Sequence, residues 1–358
     1  MSISLAQGLD VQDPELAPVA AGLIGQPIRL ITSLGGGRNS RIYQAVGEDG
    51  TCYCLKRYFR HRLDGRARLE TEFGVMHWLR AHGVEPIPRA LGADETLGLA
   101  VYEWIEGDPV PPATVSEADV QAGVEFLAQL KALRGVQGSQ DVAGASEACL
   151  SGEAAIRHIE RRVDRLAALP REAPGVRDCH AFLAQELAPA LRDTVTWAKK
   201  AFECAAIPWE TELDRMAQTL SPSDFGFHNA LRRPDGRLVY LDFEYFGWDD
   251  PAKMLADFLL HPGMELSEPL KRQFAAGVLR NFAELKSLPE RTVVMHRLCG
   301  LKWCTILLNE FVPEHLARRR FADGADTLDD QVLAVQLGKA KQMLARAMKS
   351  DHGLSFSG

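Results

Sequence analysis

The most informative stretch of the chain is residues 221–251, which read SPSDFGFHNALRRPDGRLVYLDFEYFGWDDP. A Pro-Asp-Gly sequence at residues 234–236 marks a tight reversal of the backbone. We therefore predict a β-hairpin with arms over residues 229–232 and 237–242.

Polar residues stand at the open ends of this hairpin. Asn229 and Asp242 end the two arms, and Asp224 lies one short loop upstream. Opposed residues of antiparallel arms have Cβ atoms roughly 5 Å apart, so an amide oxygen and a carboxylate there can hold one hard cation such as Mg²⁺. Asp224 would then orient a hydroxyl nucleophile, as phosphoryl transfer requires. Alternatively, these residues act only as turn formers or caps.

Length and composition describe an ordinary globular protein. The chain has 358 residues, enough for two domains, with 46% hydrophobic and 25% charged residues. A net charge of −7 argues against a general nucleic-acid binder and is compatible with a cationic small substrate. The oligomeric state is left open.

The seven cysteines are odd in number and form no CxxC pair, which favours a reduced set without disulfides or zinc. The first residues lack the basic start and apolar core of a signal peptide. No apolar run reaches membrane-spanning length. We therefore expect a cytoplasmic protein with no membrane partner.

The pattern of the chain changes near residues 106–109. Before this point we predict strands at 28–33, 41–46, 51–58 and 97–104, with one helix at 69–82. After it we predict helices, the first opened by a capping box of Ser116 and Asp119 and two others at 152–169 and 178–205. Residues 317–330, with three consecutive arginines, are expected to form a solvated loop.

A glycine-rich segment joins the first two predicted strands. Gly35, Gly36 and Gly37 precede Ser40, and glycines allow backbone N–H groups to approach phosphate oxygens. No Gly-Lys-Ser/Thr follows, so this is not a Walker A loop. A plain hairpin turn is the alternative.

Charged residues on the following elements suit a nucleotide. Lys56, on the third strand, can meet phosphates as a point charge, and Glu72 on the next helix, or else Glu70, can hold its side chain. The backbone of Glu103 and Ile105 can bond an adenine edge. The alternatives are an edge-strand lysine and a solvated helix face.

The order of these parts is that of a protein-kinase-like fold. The chain resembles the aminoglycoside phosphotransferase and choline kinase family over roughly residues 28–262. The best match is LDFEYFGWDDP at 241–251, because the family carries D-[FW]-E where protein kinases carry D-F-G. No A-P-E segment follows, which argues against a protein kinase.

The resemblance implies an α+β, protein-kinase-like bilobal fold. It implies a small β-rich N-lobe (residues 1–108) and a larger mainly helical C-lobe (109–350). Because chain termini are often poorly ordered, we also expect a disordered tail at 351–358. It also implies a kinase that transfers the γ-phosphate of ATP or GTP, with Mg²⁺, to a hydroxyl of a small metabolite or antibiotic. Sugars, amino sugars, aminoglycosides and choline-like alcohols all remain open as acceptors.

The resemblance also assigns roles to residues. Asp224 is the implied catalytic base, and Asn229 and Asp242 are the implied metal ligands. The implied nucleotide-binding residues are Gly35, Gly36, Gly37, Ser40, Lys56, Glu72, Glu103 and Ile105.

Two features depart from the family pattern. Pro222 stands where the family usually has a histidine, so a pseudokinase that binds nucleotide without transfer stays an alternative, as does a protein-directed kinase. The usual aspartate after Asp-Pro is displaced, and we expect Asp257 to tie down the catalytic loop. Asp249 and Asp250 are expected to be helix caps or to attract an amine-bearing substrate.

Overall fold

The computed structural model describes residues 16–35, 40–60, 66–323 and 330–349. It consists of two compact units, Met1–Gly107 with Ala317–Asp326, and Asp108–Leu316 with Thr327–Gly358. The predicted tail at 351–358 and two predicted phosphate-loop residues, Gly36 and Gly37, lie outside the described residues.

The first unit is built on one antiparallel sheet. Its elements are α1 (Leu16–Ile24), β1 (Ile28–Ser33), β2 (Ser40–Gly47), β3 (Cys52–Tyr58), α2 (Arg68–Ala81), β4 (Ala90–Asp94) and β5 (Leu99–Glu103). The strand order is β1-β2-β3-β5-β4. The predicted strands and helix are confirmed to within a few residues, and β4 is an addition.

Strand β3 lies in the middle of this sheet. Lys56 is paired with Ile42 on one side and with Ala100 on the other. It is therefore not on an edge strand, which removes that alternative. On one face of the sheet, Leu55 and Val101 pack with α1 in a buried core.

The stretch predicted as a solvated loop at 317–330 is helical in its first part. Helix α10 spans Pro313–Asp323, and its residues from Ala317 onward belong to the first unit. Phe321 packs on Phe59, with ring centroids 5.4 Å apart, and the Arg41 guanidinium lies 4.7 Å from the Phe321 ring centroid. The loop prediction was wrong because alanine and arginine are strong helix formers.

The second unit is mainly helical. Its helices are α3 (Glu117–Ala132), α4 (Gly152–Ala167), α5 (Val176–Phe182), α6 (Ala188–Cys204), α7 (Pro251–Leu260), α8 (Glu268–Asn281), α9 (Leu288–Leu307), the start of α10, and α11 (Asp330–Met348). The predicted capping box at Ser116 is confirmed. No helix among the described residues is long and apolar enough to cross a membrane.

Short strands position the site in this unit. They are β6 (Asp108–Pro109), β7 (Thr219–Ser221), β8 (Ala230–Arg232), β9 (Leu238–Tyr240) and β10 (Gly247–Asp249). They form two sheets, of order β6-β8-β9 and β10-β7. Helix α7 follows β10 directly, and all ten of its residues are buried.

Gly247 permits a close backbone approach at the start of β10. A Cβ at this position would lie 2.5 Å from the Ala143 carbonyl oxygen and closer still to the Ala145 nitrogen. These backbone atoms cannot move freely, because the Trp248 N–H donates to Ala143 and the Trp248 carbonyl accepts from Ala145.

We therefore expect Gly247→Ala to lower the free energy of unfolding by about 1–3 kcal/mol, as overpacking does. Gly144→Ala is the matched control, because its Cβ would meet nothing closer than 3.9 Å. Urea unfolding measures both variants. Equal midpoints for Gly247→Ala and the wild type would contradict the expectation.

Candidate active site

The predicted hairpin is present, with shorter arms. Strands β8 and β9 pair Ala230 with Tyr240 and Arg232 with Leu238. The Gly236 N–H donates to the Arg233 carbonyl, and Gly236 has a φ of 85°. This is a three-residue loop in which a left-handed residue follows a type I turn.

The open end of the hairpin carries the predicted ligand residues. The Leu241 N–H donates to the Asn229 carbonyl at 2.8 Å, so Asn229 opposes Leu241 and Asp242 comes one residue later. Asp242 has a φ of 66°, a left-handed conformation that is uncommon for a residue other than glycine. Such strain persists only where surrounding structure enforces it, and it concentrates at functional sites.

Hydrogen bonds within the loop hold Asp224. The Asp224 N–H donates to the Pro222 carbonyl at 2.8 Å, and Ser223 before it has a φ of 66°. The Asn229 side-chain amide donates to the Asp224 carbonyl at 3.0 Å. This last bond turns the amide nitrogen of Asn229 toward the loop and leaves its oxygen as the atom that can bind a cation.

The donor set at the hairpin end suits a hard cation. Asn229 and Asp242 supply an amide oxygen and a carboxylate, and Glu244 offers a carboxylate oxygen within 4.8 Å of one of Asp242. Oxygen ligands of this kind fit Mg²⁺. Glu244 was not predicted as a site residue, although it is the glutamate of the D-F-E segment.

Two histidines not predicted from the sequence lie beside Asp224. Asp224 Oδ1 is 3.3 Å from His228 Nε2 and 3.4 Å from His261 Nε2. The Asp224 side chain is 36% exposed, so it is accessible to a substrate. His261 follows α7, and it comes close to Asp224 only through the tertiary fold.

A buried ionic network lies behind this carboxylate. Lys253 is fully buried, with its Nζ 2.6 Å from Asp249 and 3.0 Å from Asp257. Asp257 also accepts from Lys302 at 2.9 Å and from the Trp303 indole at 3.1 Å. Counted as ionised groups, the two lysines and two aspartates carry no net charge, although burial raises the pKa of Asp249 above its ordinary value.

Burial and attraction oppose each other in this network. Burial alone would lower the pKa of Lys253, but the Asp249 and Asp257 carboxylates outweigh it and raise this pKa well above its ordinary value. Burial raises the pKa of Asp257, but Lys302 and Lys253 prevail and hold it below its ordinary value. Both groups are therefore charged at neutral pH.

Asp249, Asp250 and Asp257, for which the sequence suggested roles at the site, all take part in buried structural contacts. Asp249 and Asp250 are both 0% exposed, so neither is available to an amine-bearing substrate. Asp250 caps α7 through the Ala252 N–H and pairs with Arg291. Among the described residues, no hydrogen bond joins Asp257 to the backbone of the loop at 224–229. The expected tie to that loop was wrong, because the Asp257 carboxylate is taken up by Lys253, Lys302 and Trp303.

The first unit contains the predicted lysine and glutamate as a buried pair. Lys56 Nζ lies 2.7 Å from Glu72 Oε2, and both residues are at most 6% exposed. Glu70 is exposed, and so does not share this burial. The Tyr58 hydroxyl also donates to Glu72 at 2.7 Å. Burial, and then the charge of Glu72, raise the pKa of Tyr58 well above its ordinary value, so Tyr58 keeps its proton as a donor.

The remaining predicted nucleotide residues of this unit lie at the ends of strands or next to them. Gly35 has a φ of 64°, and a Cβ built there would meet no atom of the described residues within 4 Å. Ser40 is buried at the start of β2. The Glu103 N–H donates to the Arg89 carbonyl at 2.9 Å, so it is already engaged. Ile105 is 5% exposed.

Solved structures share this fold over nearly the whole chain. A choline/ethanolamine kinase family protein from Mesorhizobium loti is 17% identical with a TM-score of 0.60, covering 95% of this chain and 94% of that one. Choline kinase LicA from Streptococcus pneumoniae is 14% identical with a TM-score of 0.59, covering 94% and 99%. Spectinomycin phosphotransferase APH(9)-Ia, solved with ADP and spectinomycin, is 12% identical with a TM-score of 0.62, covering 94% and 100%. The predicted α+β, protein-kinase-like fold is confirmed.

The sequence itself identifies the family. The model of the phosphotransferase enzyme family (APH) matches residues 30–288, well over half of the chain. The chain therefore belongs to the phosphotransferase enzyme family, and the prediction of an ATP-dependent kinase is confirmed at this level. No curated protein matches the chain.

Proposed function

We propose that the protein is a small-molecule kinase that transfers the γ-phosphate of ATP to a hydroxyl of a small metabolite or antibiotic. The observation that carries this proposal is the loop and hairpin of the second unit. They present the accessible carboxylate of Asp224 together with the oxygen donors of Asn229 and Asp242. This pairing of a base with a cation-binding hairpin is what phosphoryl transfer uses.

Each residue of the site has a proposed task. Asp224 accepts the proton of the acceptor hydroxyl. The hydroxyl oxygen then bonds to the γ-phosphorus, and the bond between that phosphorus and the leaving ADP oxygen breaks. Asn229 and Asp242, with Glu244 beside them, would hold Mg²⁺. When bound, Mg²⁺ neutralises charge on the phosphates.

The buried pair of the first unit would serve the nucleotide. The bond to Glu72 fixes Lys56 and favours its charged form, as a lysine that binds phosphate oxygens requires. Gly35 and Ser40, with Gly36 and Gly37, would cover the phosphates, and the backbone near Glu103 and Ile105 would meet the base. LicA has been solved with AMP and APH(9)-Ia with ADP, which favours ATP over GTP.

The acceptor class is proposed as a small hydroxyl compound. Solved relatives include kinases of choline and ethanolamine and a phosphotransferase of spectinomycin. Since Asp249 and Asp250 are buried, any recognition of an amine must use other groups. Sugars, amino sugars, aminoglycosides and choline-like alcohols are the compounds to test.

The test is Mg²⁺-dependent ADP production by the purified protein across a panel of these acceptors and nucleosides. We expect one class to stimulate turnover in the wild type and not in Asp224→Ala. Nucleotide binding without stimulation by any acceptor would favour the pseudokinase. Phosphate transfer to proteins of a cell extract, and to no small acceptor, would favour a protein-directed kinase.

A further inference from the structure

Two parallel histidine rings meet one oxygen of the proposed catalytic base. The rings of His228 and His261 stack with centroids 3.7 Å apart and an angle of 9° between their planes. Both Nε2 atoms lie close to Asp224 Oδ1: His228 Nε2 is hydrogen-bonded to it at 3.3 Å, and His261 Nε2 lies 3.4 Å from it. Asp224 and His228 belong to one loop, four residues apart, whereas His261 comes from the end of α7.

The tautomer of His261 follows from its other ring nitrogen. The Gly263 N–H donates to His261 Nδ1 at 3.1 Å, so Nδ1 must be the acceptor. A neutral imidazole has one acceptor and one donor nitrogen. The proton of neutral His261 is therefore on Nε2, the atom that faces the Asp224 carboxylate.

The ring of His228 favours the same arrangement. Within the described part of the chain, no group bonds the buried His228 Nδ1. A buried N–H without an acceptor would cost free energy. The proton of neutral His228 is therefore also better placed on Nε2, toward Asp224.

The buried network fixes the position of His261. The edge of Trp303 meets the His261 ring at 87°, with centroids 4.8 Å apart. The Trp303 indole in turn donates to Asp257 Oδ1, and Asp257 is held by Lys253 and Lys302. His261 is thus confined by Trp303 on one side and by the stacked His228 on another.

We propose that His261 is a positioning residue for Asp224: its Nε2–H donates to Oδ1, fixes the side chain and favours the ionised carboxylate. This inference rests on the proposed function, in which Asp224 is the base. Asp224 then has a histidine partner from elsewhere in the fold, although Pro222 occupies the position two residues before it where the family usually has a histidine. Hydrogen bonds to a carboxylate favour its charged form, and only that form can accept the acceptor proton.

The same three atoms do not suit a metal ion. Two histidines and one carboxylate are a common ligand set, but a ligating histidine normally donates its other ring N–H to an acceptor. His261 Nδ1 instead accepts an N–H, which leaves the proton on the would-be ligand atom. Hydrogen bonding to Asp224 accounts for the trio better.

The test compares two substitutions at one position. His261→Phe keeps a ring against His228 and Trp303 but removes the N–H donor, whereas His261→Gln keeps a donor. We expect His261→Phe to lower kcat about 10- to 100-fold, as loss of an orienting partner does, with KM for ATP unchanged within about twofold. His261→Gln should restore most of kcat. His180→Gln, a histidine bonded to Leu166 away from this loop, is the control and should match the wild type.

A second measurement needs no acceptor. Nitrogen NMR of the histidine-labelled wild type, at a pH where histidine is neutral, should place the His261 proton on Nε2, and Asp224→Ala should shift that signal. A proton on Nδ1, or a His261→Phe variant with wild-type kcat, would overturn the inference. If no acceptor stimulates the wild type while the proton is on Nε2, then the proposed function fails and the contact with Asp224 stands.

Discussion

A Lys253→Met variant should lose about 3–5 kcal/mol of its free energy of unfolding, the range for breaking a buried ion pair by removing one partner. Lys253 is 0% exposed and bridges Asp249 and Asp257. Without it, Asp257 keeps Lys302, but within the described ranges the buried Asp249 carboxylate keeps only the N–H groups of Cys149 and Asp250. Methionine fills a similar volume, so the loss reports the missing charge.

Urea unfolding measures this loss, with Lys271→Met as the matched control. Lys271 pairs with an exposed glutamate, Glu268, on α8, and surface pairs are worth about 0–1 kcal/mol. Adding Asp249→Leu to Lys253→Met should recover part of the stability, because both charges are then gone. An unfolding midpoint of Lys253→Met equal to that of the control would show that the network does not stabilise the fold.

An Asp224→Asn variant should keep nucleotide affinity and lose acceptor-stimulated turnover by about 10²–10⁴-fold, the contribution of a general base. Asparagine preserves the size of the side chain, and Asp224 is partly exposed, so the fold should tolerate the change. The amide cannot take up the hydroxyl proton. The loss should therefore appear in kcat, with KM for ATP changed by less than about twofold.

The matched control is Asp235→Asn in the hairpin turn, an exposed aspartate bonded to Arg237. It removes the same charge from the same hairpin and should leave kcat unchanged. Steady-state kinetics with the best acceptor, together with nucleotide titration, separate the two effects. Turnover by Asp224→Asn within a few-fold of the wild type would mean that another group accepts the proton.

Local sequence patterns predicted most of the first unit and the hairpin. Strands β2 and β3 were predictable because apolar residues alternate around a turn with Gly50, which has a φ of 84°. Strand β4 was missed because Ala90–Asp94 has a central glycine and no β-branched residue. The run of arginines in α10 was interpreted as solvated, although it is compatible with a helix.

The surroundings of the site could only partly be predicted. Asp224, Asn229 and Asp242 are close in sequence, so a loop and one turn suffice to place them. His261 and Trp303 reach the site through packing of α7 and α9, which no local pattern encodes. One partial signal was present: Lys253 and Asp257 lie four residues apart and so share one face of α7, and His261 follows at the same interval just beyond the end of that helix.

The carboxyl-terminal part of α10 belongs to the first unit, and this affects how the chain can be truncated. Residues 317–326 belong to that unit although about two hundred residues separate them from Gly107. A fragment that stops at Gly107 would leave Phe59 and Arg41 without the ring of Phe321, exposing apolar surface that the intact chain covers. The first unit should therefore be poorly soluble when expressed alone, and truncations from the carboxyl end should impair it before they reach the loop at 224–229.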